Sequence, residues 1–160
     1  MKKLTLIRHG KASQDYNFKD FDRPLLPSGI ENTLVIANNY LPTIIHNATV
    51  WSSASRRTSE TAIAFTQVCN IDVSLINFRV DLYTFESREL ERIILTCYNE
   101  IENLIIFGHN SAITDFVNKF GDIYIDNVPT SGLVVLQFET NDWQTISNGK
   151  TIKTLFPNQF

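Results

Sequence analysis

Three short apolar runs in this chain end on residues suited to a phosphoryl group. Leu4-Thr5-Leu6-Ile7 stops at Arg8-His9-Gly10, Ala48-Thr49-Val50-Trp51 leads through Ser52-Ser53-Ala54-Ser55 to Arg56-Arg57, and Leu104-Ile105-Ile106-Phe107 stops at Gly108-His109-Asn110. A guanidinium offers a planar donor fork that matches phosphate oxygens. An imidazole can act as nucleophile, acid or donor near neutral pH, and a glycine lets backbone approach closely. A phosphoryl group in flight spreads negative charge over three equatorial oxygens, so its transfer needs positioning and preorganised positive charge above all. Two guanidinium forks and two imidazoles would supply that without a metal, and no cofactor is expected.

Such groups act together only if the chain brings the three junctions to one place. The spacing predicts that it does. Pro27-Ser28-Gly29 opens an amphipathic helix over Ile30 to Leu41, with Ile30, Leu34, Ala37 and Leu41 at helical spacing and Pro42 as the stop. Arg57 to Val68 reads as a second helix, Ile71 to Leu75 as a strand, and Arg88 to Glu100 as a helix capped by Ser87. Asn103 to Phe107, the most continuous apolar run, fits a central parallel strand buried on both faces, followed by a helix from Ser111 to about Phe120. Leu133 to Phe138 is a strand, and Trp143 to Ile146 is expected as an antiparallel edge. Strands alternating with helices imply a three-layer α/β/α sandwich with a mostly parallel central sheet and an antiparallel edge strand. Right-handed crossovers then line up the strand ends, with their arginines and histidines, along one rim.

Composition removes other classes. The 160 residues suit a single domain over 1–160, with 43% hydrophobic and 19% charged residues as in a globular protein. A formal charge of −3 argues against a broad nucleic-acid surface, and no run approaches the length of a membrane span or signal peptide, so a cytoplasmic location is expected. Cys69 and Cys97 have neither Cys-x-x-Cys nor Cys/His ligand spacing and are expected as buried thiols in helical segments. His46 lies in a loop-like stretch and reads as a surface residue.

The ordered set Arg8-His9-Gly10, Ser53 to Arg57 to Thr61, and Gly108-His109-Asn110 resembles the histidine phosphatase, or phosphoglycerate mutase-like, superfamily over nearly the whole chain. The short length, the Arg-His-Gly-Lys-Ala opening, Asp22-Arg23-Pro24-Leu25, Leu82-Tyr83 and Val128-Pro129-Thr130-Ser131-Gly132 resemble its small SixA-like branch of phosphohistidine phosphatases. The resemblance implies that His9 is a nucleophile that becomes transiently phosphorylated, while Arg8, Arg57 and His109 hold the phosphoryl oxygens. Arg57 is chosen over Arg56 because the family gaps run from Ser53 to Arg57 to Thr61; Arg56 is then a solvated rim residue. His9 suits a covalent carrier if its other ring nitrogen is fixed by a backbone carbonyl, and His109 is expected as a donor when phosphate is present. Ala54 stands where the family commonly has Pro, and Ser111 follows Asn110 where Pro is common.

A general acid is harder to find. Mutase-like members use a Glu after the third strand, where Glu86 is the nearby carboxylate; Asp20 and Asp22 are alternatives, with Asp22 otherwise expected to orient Arg23 or a loop amide. The expected partner is a phosphorylated protein, such as a phosphotransfer domain, because little chain remains beyond the core to cap the site. A small phosphate ester is the alternative, and a phosphate-binding module without turnover a third reading.

Overall fold

In the computed structural model, which describes residues 1–41 and 47–160, the chain runs β1 (Lys2–Arg8), α1 (Pro27–Tyr40), β2 (Thr49–Ser53), α2 (Arg56–Val68), β3 (Ile76–Arg79), α3 (Ser87–Ile94), β4 (Asn103–Gly108), α4 (Ala112–Phe120), β5 (Leu133–Phe138) and β6 (Lys150–Leu155). Pro42 and His46 lie outside the described residues. The six strands form one sheet in the order β3-β2-β4-β1-β5-β6. β3, β2, β4 and β1 are parallel, while β5 runs against both β1 and the edge strand β6.

Side-chain alternation along the strands makes the three layers. Leu4 and Leu6 of β1, Leu104 and Ile106 of β4, and Val134, Leu136 and Phe138 of β5 pack with Leu90, Ile93 and Ile94 of α3 and Ile113, Phe116 and Val117 of α4. Ile7, Ile105, Phe107, Leu133 and Val135 point the other way, onto Ile36, Ala37 and Tyr40 of α1 and Ala62 and Phe65 of α2. β4 is buried along nearly its whole length, as its unbroken apolar run demands. No helix among the described residues is long and apolar enough to cross a membrane.

Local side-chain bonds override the apolar pattern at several points. The strand expected over Ile71 to Leu75 begins later, at Ile76, because the Asp72 carboxylate accepts from Ser74 N at 2.9 Å and closes a 3-10 turn over Val73–Leu75. Asp142 does the same to Trp143–Thr145 by accepting from Gln144 N. Trp143 is therefore no edge strand: its ring is fully buried with Nε1 donating to Ile101 O at 2.7 Å. The edge is β6, whose Lys-Thr-Ile-Lys-Thr-Leu sequence carries too few apolar residues to announce itself. α3 ends at Ile94, not Glu100, and Ser87 is its first residue, with Glu86 at the N-cap position; Cys97, past its end, and Cys69, at the end of α2, are both buried free thiols.

α1 is rotated from its expected face. Gly29, Thr33, Ile36, Ala37 and Tyr40 are buried, whereas Ile30, Leu34 and Leu41 are more than a third exposed. Contacts with the loop after β1 set this rotation, and they belong to the site itself.

Candidate active site

The end of β1 is held from three sides. Ser131, at φ 62°, donates its N–H to the carbonyls of both Arg8 and His9, and its Oγ lies 3.0 Å from Thr33 Oγ1 of α1. Gly10 N donates to Thr61 Oγ1 at 2.9 Å, and that hydroxyl donates to Arg57 O at 2.7 Å, so one threonine of α2 ties the two arginine junctions together. Gly10 and Gly29 are both required by close approach. A Cβ on Gly10 would meet Gly29 O at 2.8 Å, and one on Gly29 would collide with Lys11 O. The glycine after His9 thus admits the start of α1, and the tight backbone packing explains why α1 turns Gly29 and Thr33 inward.

Two histidines and two arginines converge above these anchors. His9 Nδ1 lies 2.7 Å from Gly10 O and its Nε2 lies 3.3 Å from Arg57 Nε. A carbonyl only accepts and a guanidinium only donates, so Nδ1 carries the proton and Nε2 presents a lone pair. The same logic sets His109: its Nδ1 faces Arg57 Nη2 at 3.5 Å, leaving Nε2–H to donate to Ser53 Oγ at 2.9 Å. Ser55 and Thr58 complete a buried hydroxyl cage around that nitrogen, at 3.4 and 3.3 Å. The two imidazole rings are 5.2 Å apart. Arg8 donates Nη1 to Val128 O at 2.9 Å, while its buried Nε has no partner among the described residues. An unpaired buried donor on a residue that lines the same cavity as His9 suits an incoming anion.

Asp20 is the carboxylate of this cluster. Its carbonyl and Oδ2 accept from Arg57 Nη1 at 2.6 Å and Nη2 at 3.1 Å, its Oδ1 accepts from Arg23, and Tyr83 Oη donates to Oδ2. Burial opposes its charge, but the bonds from Tyr83, Arg57 and Arg23 outweigh burial and bring its pKa down to about 2. Arg8, His9, Asp20, Arg23 and Arg57 line a cavity of about 420 Å³ together with Lys11, Gln14, Phe85, Asn110 and Thr130.

Burial pushes the His9 pKa down to about 4, with the nearby arginines adding to the effect against the Gly10 bond. Burial, then His9 and Arg57, push His109 down to about 2. Both rings are therefore neutral in the free site at pH 7. A histidine with a depressed folded pKa costs nothing above its unfolded pKa of about 6.5 and costs stability as pH falls below it, because only the unfolded chain takes up the proton. Unfolding free energy should fall between pH 6.5 and 4 by up to about 1.4 kcal/mol per pH unit for each ring. Denaturant melts at several pH values, compared with His9→Gln, check this: the variant should show a shallower slope, and an equal slope would mean that His9 titrates normally. Nitrogen chemical shifts should also report neutral His9 and His109 at pH 6.

The structure brings Arg8, His9, Arg57 and His109 together. Arg56, adjacent to Arg57, points out of the site and pairs with Glu60 at 3.4 Å. Glu86 is exposed and does not line the cavity; its neighbour Phe85 does. Asp22 does not orient Arg23, which is held by Asp20 and by Ser13 O at 2.9 Å. Sequence reasoning used Ser53 and Thr61 only as spacing marks and passed over Ser55, Thr58, Tyr83 and Phe85 as site residues. Serine and threonine just before and inside the first turn of α2 were the available signal for the cage.

No family model and no curated protein sequence matches the chain. Solved structures do. The protein histidine phosphatase SixA complexed with tungstate superposes with a TM-score of 0.83 at 18% identity, covering 98% of each chain. A protein from Agrobacterium tumefaciens assigned as phosphohistidine phosphatase SixA gives 0.74 at 22% identity, over 96% of this chain and 97% of that one. Phosphoserine phosphatase from Entamoeba histolytica gives 0.67 at 13% identity, over 96% of each. With its strand order, its reversed β5 and its site at the carboxyl ends of β1, β2 and β4, the chain has the phosphoglycerate mutase-like fold of the histidine phosphatases.

Proposed function

We propose that the protein hydrolyses phosphoryl groups through a covalent intermediate on His9, and that its substrate is a phosphohistidine carried on another protein. The observation that carries this reading is the His9 imidazole: its Nδ1 proton is held by Gly10 O, which leaves a lone pair on Nε2 beside Arg57 Nε, and the residue lines a cavity with Arg8, Arg57 and Asp20. Nε2 attacks phosphorus, the bond from phosphorus to the substrate imidazole breaks, and that imidazole, already protonated on its other ring nitrogen, leaves with the electron pair as a neutral ring. Water then attacks the phosphorus, the bond to Nε2 breaks, and His9 returns as the neutral Nδ1–H form while inorganic phosphate carries away the water's proton. Arg8 and Arg57 hold the equatorial oxygens throughout. His109, with Nε2–H anchored on Ser53 and Nδ1 facing Arg57 Nη2, helps to hold that guanidinium in place for the phosphoryl oxygens.

The choice of a nitrogen-linked substrate rests on what lines the cavity. Asp20 is the carboxylate among the described lining residues, and its three donors keep it ionised, so it cannot protonate an alkoxide. The second step expels His9 without an acid because its Nδ1 keeps a proton, so a phosphohistidine protonated on its other ring nitrogen can leave in the same way, whereas a phosphate monoester lacks a proton for its leaving oxygen. The SixA neighbour is complexed with tungstate, an oxyanion that would also suit the two-arginine cradle here. The test sets a phosphohistidine-bearing phosphotransfer domain against a panel of small phosphate monoesters. Turnover of the phosphoprotein at least about 100-fold above any ester is expected, given the several kcal/mol that protonation of an alkoxide demands. Preferred turnover of one ester would overturn the substrate, and no turnover of either would overturn the activity.

A further inference from the structure

Phe85 stands at the mouth of the cavity in the connection between β3 and α3, where the neighbouring Glu86 turns away to solvent. Its ring lies 5.2 Å from that of His109 and 5.5 Å from that of Tyr83, edge-on to both at 71°. Tyr83 is in turn edge-on to His109 at 5.4 Å and to Phe21 at 5.0 Å. The rings therefore form a fixed wall, and Tyr83 is further held by its bond to Asp20. Yet Phe85 remains 46% exposed, so a large apolar face opens over a floor of arginine and histidine.

In-line attack by His9 Nε2 sends the leaving group away from His9, toward the mouth. Phe85 can give that group no hydrogen bond, so sugar or glycerol hydroxyls lose water there and gain nothing in return. A flat ring instead buries the exposed face and gains the edge or offset contact that aromatic pairs favour.

We infer that Phe85 is a specificity-determining residue whose ring packs against the leaving imidazole of a phosphohistidine and selects planar, ring-bearing leaving groups. This rests on the proposed phosphohistidine substrate. The experiment measures kcat/KM of the wild type, Phe85→Leu, Phe85→Ala and Phe85→Tyr on a phosphohistidine peptide and on acetyl phosphate. Acetyl phosphate has a leaving group that is acid-independent but has no ring. In Phe85→Leu and Phe85→Ala the ratio of the two kcat/KM values should fall about tenfold toward acetyl phosphate, with the loss mainly in KM for the peptide, and Phe85→Tyr should restore it. An unchanged ratio, or equal loss on both substrates, overturns the role of Phe85 while leaving the phosphatase reading intact. A wild type inert toward the peptide but active on acetyl phosphate overturns the phosphohistidine substrate and this inference with it. Thermal melts report folding of each variant, and Phe85→Leu keeps apolar bulk at the site.

Discussion

Replacing His9 by alanine is expected to lower phosphatase turnover by on the order of 10⁴-fold or more, since a nucleophile that carries the intermediate has no substitute among its neighbours. The other candidates are already committed: His109 Nε2 is enclosed by Ser53, Ser55 and Thr58, and Asp20 is bonded to Arg57, Arg23 and Tyr83. The variant should also fail to retain acid-labile, base-stable phosphate in a rapid-quench experiment in which the wild type does. Its fold should persist, because the ring's bonds are to Gly10 O and Arg57 Nε and the backbone around it is anchored by Ser131 and Thr61. Turnover or labelling that survives in His9→Ala would mean that another group attacks phosphorus.

Arg57→Ala should cost about 10³-fold in kcat/KM, since it removes a preorganised donor fork from the developing phosphoryl charge. Arg57→Lys should recover only a small part, because an ammonium cannot reproduce donors that face His9, His109 and Asp20 at once. Arg57 is 1% exposed, so the loss of its side chain also leaves a void. Its partner Asp20 is about half exposed and can be rehydrated, which holds the stability loss to about 1–2 kcal/mol once solvent screening is counted. Arg56→Ala is the control one residue away: its side chain pairs with Glu60 at the surface and should change kcat/KM less than about twofold. Kinetics and thermal melts on the three variants check this. Comparable losses for Arg56→Ala and Arg57→Ala would remove the distinction between the neighbours.

Much of the site was legible because its residues sit at the ends of strands, where side-chain type and strand order suffice to predict convergence. The apolar runs before Arg8, Arg57 and His109 could be read as strands, and parallel strands joined by right-handed crossovers must end along one rim. Glu86 shows where this kind of reading stops. A carboxylate one residue from the cavity is useless if the chain turns it outward, and nothing in Thr84-Phe85-Glu86-Ser87 says which of two adjacent side chains faces in. The rotation of α1 was equally hidden, since its apolar residues outline one stripe and the backbone packing of Gly29 on Lys11 imposes another.

The sequence by itself determined the α/β alternation, the two arginines and two histidines, and the spacing that separates Arg57 from Arg56. These are local or periodic properties, set by residue type and by how far apart the residues lie along the chain. Only the tertiary structure decided the tautomers of His9 and His109, the ionised state of Asp20 and the aromatic wall of Tyr83 and Phe85. Each depends on partners far apart in sequence, such as Asp20 with Tyr83 or His109 with Ser53, meeting within hydrogen-bond or ring-contact distance in a dry site, where burial and neighbouring charge govern protonation.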